Sequence, residues 1–114
     1  MKKITKFGGL QGDIVILPAE RIPDTAQKTL DRIVAVGEST GHRHEIRGVK
    51  EAYRDLSGWY FVVAPDEKGF LEHVTASGDP TGDHDTIEMT PGIYFVPVVT
   101  QVEYDGETER RAYD

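Results

Sequence analysis

Two histidines stand two residues apart in the run Gly37-Glu38-Ser39-Thr40-Gly41-His42-Arg43-His44. In an extended chain, side chains at i and i+2 project from the same side of the backbone. Two neutral imidazoles facing one point can hold a metal ion, because zinc, iron, manganese, nickel and copper all accept imidazole nitrogen. The same pair also suits a polar hairpin whose exposed face bears two histidines. The other two histidines, His73 and His84, lie ahead of a second marked segment, Thr86-Ile87-Glu88-Met89-Thr90-Pro91-Gly92-Ile93-Tyr94. Firm metal binding needs a third protein ligand. With no cysteine in the chain, that ligand must come from His73, His84 or a carboxylate such as Glu38, Glu72 or Asp83. His84 is preferred, since it ends a Gly/Asp/Pro-rich loop and begins a strand, from which it can reach a neighbour. His73, between Glu72 and Val74, reads as a half-buried sheet histidine. The expected set is therefore His42, His44 and His84 around a divalent transition metal of unspecified identity, with no catalytic residue assigned.

Several other chemistries have no signature in the sequence. There is no Gly-x-x-x-x-Gly-Lys phosphate loop, no Gly-x-Gly-x-x-Gly and no His-Glu-x-x-His, which removes the usual signatures of nucleotide hydrolysis, dinucleotide binding and helix-borne zinc peptidases. The absence of cysteine also excludes disulfides and thiolate zinc sites. Twenty acidic against 13 basic residues give a net charge of −7, which disfavours nucleic acid and anionic lipid as partners. The longest apolar stretches, Ile14 to Leu17 and Ile93 to Val99, fall far short of the roughly 20 residues that span a bilayer. Gly8, Gly9 and Gln11 interrupt any signal-peptide core, so a cytoplasmic location is expected.

The elements that must position the histidines are strands. A chain of 114 residues fits one domain, expected over 12–114 with residues 1–11 as an N-terminal extension. Ile14 to Leu17 forms a first strand closed by Pro18, and residues 19–31 a loop with at most a helical turn near Thr25 to Lys28. Arg32 to Val36 is a second strand leading into the histidine pair. Ala52 to Leu56 and Trp59 to Ala64 flank Ser57-Gly58 as a hairpin. Phe70 to Thr75, Thr86 to Met89, Ile93 to Tyr104 and Thr108 to Tyr113 follow. Pro97 implies an edge or bulge in the long strand, and Asp105-Gly106 a turn after it. Pro91-Gly92 reads as a structural turn, Tyr94 as core, and Glu103 as a cross-hairpin partner for Arg110 or Arg111. Seven to nine short strands with almost no helical periodicity predict an all-β barrel or sandwich.

The ordered pattern Gly12-Asp13-Ile14-Val15, Gly37-Glu38-x-Thr40-Gly41-His42-x-His44, His84-x-x-Ile87-x-Met89-x-Pro91-Gly92-x-Tyr94-x-Val96 and Gln101-x-Glu103-Tyr104 resembles a family of small, uncharacterised bacterial and phage-encoded proteins. A looser similarity is to the cupins, whose first motif carries His-x-His and a glutamate and whose second carries Pro-x-Gly and a third histidine; it implies a jelly-roll barrel. The glutamate position falls here at Gly48 or Val49, and His84 precedes the Pro91-Gly92 turn. Two functional classes follow: a metal- or small-ligand-binding β domain, or a non-catalytic, phage-derived interaction module. A homodimer is expected, because small β proteins must protect strand edges and Ile93 to Tyr104 carries apolar residues on both faces.

Overall fold

The computed structural model describes residues 1–37, 39–98, 100–104 and 109–113. Among these there are thirteen strands and no helix. One sheet has five strands: β1 (Lys2–Lys3), β10 (Ile87–Met89), β9 (Gly69–Val74), β6 (Arg43–Arg47) and β5 (Ile33–Val36), in that spatial order. The second has six: β2 (Gly9–Gln11), β3 (Ile14–Ala19), β11 (Gly92–Pro97), β8 (Gly58–Val63), β7 (Glu51–Asp55) and β4 (Gln27–Lys28). Strands β12 (Thr100–Tyr104) and β13 (Glu109–Tyr113) pair as a separate antiparallel hairpin, with Glu103 in register with Arg110.

The two larger sheets share one core, which makes the fold a β-sandwich rather than a closed barrel. Ile46, Leu71, Ile87 and Met89 from the five-stranded sheet meet Ile14, Ile16, Phe61, Val63, Tyr94 and Val96 from the six-stranded one. Alternation explains the selection: in β8 the odd-numbered Trp59, Phe61 and Val63 face inward, while Tyr60 faces outward and stacks on Phe95 with centroids 4.8 Å apart. Full burial of a side chain such as Phe61 or Leu71 contributes about 1.5–3 kcal/mol.

Four local expectations are corrected by this architecture. Strand β3 runs through Pro18, which pairs with Tyr94; β2 reaches only Ile14 to Ile16, so at Pro18 the strand is an edge and tolerates a missing donor. Gln27 and Lys28, expected near a helical turn, form a short strand against Tyr53 and Arg54. The hairpin between β7 and β8 turns at Leu56 and Ser57, held by the Asp55 carboxylate accepting from Ser57 N at 2.8 Å. The long strand expected from Ile93 to Tyr104 is two strands, the first ending at Pro97 opposite Gly58. The Asp105-Gly106 turn lies outside the described residues.

The segment before Gly12 contributes two short strands. Lys2–Lys3 pairs in parallel with β10, and Gly9–Gln11 pairs with β3, so this stretch touches both sheets. Among the described residues no helix is long and apolar enough to cross a membrane.

Candidate metal centre

The imidazoles gather where the inner face of the five-stranded sheet runs out of apolar residues. In the β6/β9 register, Ile46 lies opposite Leu71, and two residues further His44 lies opposite His73. Because side chains alternate, these two histidines continue the inward-facing row that Ile46 and Leu71 begin. His42 is two residues further along the same face. His84 comes from the loop ahead of β10, the strand beside β9.

All four rings form one cluster. Centroids are 4.7 Å apart for His44 and His73, 4.7 Å for His73 and His84, 5.5 Å for His42 and His73, and 5.9 Å for His44 and His84. His73 touches each of the others. Donor atoms of His42, His73 and Asp83 lie within 4.8 Å of one another, and His42 Nδ1 is 3.8 Å from Asp83 Oδ2. A modest inward movement of these side chains would bring them to the roughly 2 Å nitrogen and oxygen distances of a transition-metal site.

The flanking loops pack closely against the cluster. Between β5 and β6, Gly37 N donates to His42 O at 2.7 Å and Gly41 N donates to Gly37 O at 2.9 Å, a tight return that Gly41 permits with φ +71°. Between β2 and β3 the two-residue turn Gly12-Asp13 folds over the cluster from the opposite sheet. Gly12 has φ +58°, and a Cβ placed there would lie 3.1 Å from His84 Nε2 and 3.6 Å from His44 Cε1. The turn thus roofs the histidines closely enough that glycine alone fits without displacement.

The ring nitrogens are anchored from behind. Gln11, 2 % exposed, reaches from β2 between the sheets: its Nε2 donates to Leu71 O and Asp85 O, each at 2.8 Å, and its Oε1 is 2.8 Å from His44 Nδ1. His73 Nδ1 is 2.5 Å from Thr81 Oγ1, which also accepts from Asp83 N at 3.2 Å. One hydroxyl therefore links a histidine to the backbone of the neighbouring carboxylate.

Burial and mutual repulsion favour the neutral form of His44 and His73. Desolvation, then the nearby His73 and His84, lower the His44 pKa to about 4, with Asp13 opposing. Desolvation, then His84 and His42, lower that of His73, with Asp83 opposing. At neutral pH both rings carry lone pairs rather than charge, the state a metal requires.

Of the residues expected from the sequence, His42, His44 and His84 all lie in the cluster, His44 and His84 in direct ring contact and His42 joined to them through His73. Asp83 is beside His42. Glu72 belongs to the outer face of the sheet, where Arg47 Nη1 is 3.3 Å from its carboxylate. Glu38 lies outside the described residues. Tyr94 is a core residue whose hydroxyl donates to Thr90 O at 2.7 Å. Sequence reasoning did not single out the central place of His73 or the role of Gln11. The signal for His73 was its shared parity with Leu71 in β9, obscured because Phe70 is apolar too. Gln11 carried no signal of its own.

No curated protein and no solved structure matches this chain. Residues 10–99 match the model of a domain of unknown function, DUF8820, and the chain belongs to that family.

Proposed function

We propose that this domain binds a divalent transition metal through its histidine cluster, with His73 as the central ligand, His42 and Asp83 on the solvent side, and His44 and His84 on the inner side. The observation that carries this reading is the gathering of four imidazoles from three separate chain segments into one cluster around His73, within which His42, His73 and Asp83 bring donor atoms within 4.8 Å of one another. A chance surface histidine pair would bring neither a partner from another strand nor a glycine turn packed over it. The ligand types favour zinc, iron, nickel, manganese or copper over calcium or magnesium, which take oxygen ligands.

Side-chain exposure of 31 % at His42 and 62 % at Asp83 leaves that end of the centre accessible to water, so a bound ion there would keep an open coordination position. Such a position is where a metal activates water or polarises a substrate oxygen. A His-x-His segment joined by a histidine from a later strand is the feature shared with the cupin pattern.

The test is elemental analysis of protein purified without a histidine tag, followed by titration calorimetry with zinc, nickel and manganese salts at neutral pH. We expect one ion per chain and, for His73→Ala, a loss of affinity of at least about tenfold. Absence of binding to the unsubstituted protein, or a His73→Ala variant that binds as well, would overturn the proposal.

A further inference from the structure

Gln11 is buried at 2 % exposure, and its hydrogen-bond geometry leaves one assignment. Its amide nitrogen is 2.8 Å from two backbone carbonyl oxygens, Leu71 O and Asp85 O. Carbonyls only accept, so both amide hydrogens are committed and the reversed amide would set oxygen against oxygen. The remaining atom, Oε1, can only accept. Its partner at 2.8 Å, His44 Nδ1, must therefore be the donor.

We propose that Gln11 is a positioning residue that holds His44 as the Nδ1-protonated tautomer and so fixes Nε2 as the ligating nitrogen of the centre. This rests on the metal-binding reading for its purpose but not for its geometry. The anchoring is rigid, because Gln11 is tied to β9 through Leu71 O and to the start of β10 through Asp85 O, the two segments that supply His73 and His84. One side chain from the six-stranded sheet thus registers three segments of the five-stranded sheet around the cluster. Metal-binding histidines commonly donate their second nitrogen to such a partner, which orients the ring and raises its basicity as a ligand.

The experiment is long-range proton–nitrogen NMR of the imidazoles in the metal-free, unsubstituted protein, at a pH where His44 is neutral. A protonated, pyrrole-type signal at Nδ1 of His44 and a pyridine-type signal at Nε2 are expected; the reverse pattern overturns the proposal. The volume-matched Gln11→Met variant should lose the single-tautomer signature at His44 and bind zinc about 10- to 100-fold more weakly. Retention of the wild-type tautomer in a folded Gln11→Met protein would also overturn it. If the unsubstituted protein binds none of zinc, nickel and manganese, the metal reading falls, while the NMR signature on that same protein still decides the positioning role of Gln11.

Discussion

At the scale of single residues, the lowered basicity of His44 and His73 predicts how the metal-free domain responds to acid. An imidazole that titrates near 6.5 when unfolded and at about 4 when folded leaves the unfolded chain holding more protons between those values. Stability is then full above about pH 6.5 and falls as pH drops toward 4; His73, also lowered, acts in the same direction. Thermal denaturation of metal-free protein should show a falling midpoint across that window, and His44→Gln should flatten it. A midpoint independent of pH there would contradict the lowered basicity of His44 and His73. Gly12 offers a second check. An alanine at φ +58°, with its Cβ 3.1 Å from His84 Nε2, costs about 1–2 kcal/mol in backbone strain alone and pushes His84 out of the cluster. Gly12→Ala should therefore lower both stability and metal affinity, as measured by denaturant titration and calorimetry; a variant indistinguishable from the parent would show that the roof is not tight.

At the scale of elements, the floor of the centre is the cross-strand trio Ile46, Leu71 and Ile87, one step below His44 and His73. Leu71 is fully buried, and its carbonyl holds Gln11. Leu71→Ala should cost about 2–5 kcal/mol and weaken metal binding as the histidine row loses its support; a loss under 1 kcal/mol would mean the core closes over the gap. The central strands of the opposing six-stranded sheet were legible because Ile14 to Leu17, Trp59 to Val63 and Ile93 to Val96 are β-branched or aromatic runs bounded by turn residues. Strands β1, β2 and β4 were not, since two or three residues carry no periodicity and their pairing is dictated by neighbours distant in sequence. The break after Pro97 was hidden by the apolar residues on both sides of it. The histidine pair and His84 could be named from spacing, but the centrality of His73 depends on the β6/β9 register, which brings residue 44 opposite residue 73 and which no local pattern specifies.

At the scale of the molecule, the two outer faces differ in character, and this asymmetry bears on assembly. The outside of the five-stranded sheet is a ladder of ion pairs: Arg43 and Arg47 with Glu45, Arg47 with Glu72, and Lys3 with Glu88. On the six-stranded sheet, by contrast, the register aligns Tyr53, Tyr60, Phe95 and Leu17 in one outward-facing row across four strands. Leu17 is 38 % exposed, and the nearby Leu10 and Phe7 are 66 % and 78 % exposed. The N-terminal segment is tied down at β1 and β2 yet leaves these side chains in solvent, so it adds apolar surface instead of covering the row. Among the described residues, apolar side chains including the exposed Leu17, Leu10 and Phe7 gather on this side while Tyr60 within the row is buried, and an exposed apolar patch can form an isologous interface, in which the same patch serves both partners. We propose that the homodimer expected from the sequence forms by apposition of this face, burying Leu17, Phe95 and Leu10 against their equivalents while both metal centres stay accessible. Light scattering at micromolar concentration should give twice the 12.7 kDa chain mass, and Leu17→Lys should return it to the monomer without altering zinc affinity, because the residue faces away from the histidines. A single-chain mass for the unsubstituted protein, or a dimer that survives Leu17→Lys together with Leu10→Lys, would place association elsewhere or remove it.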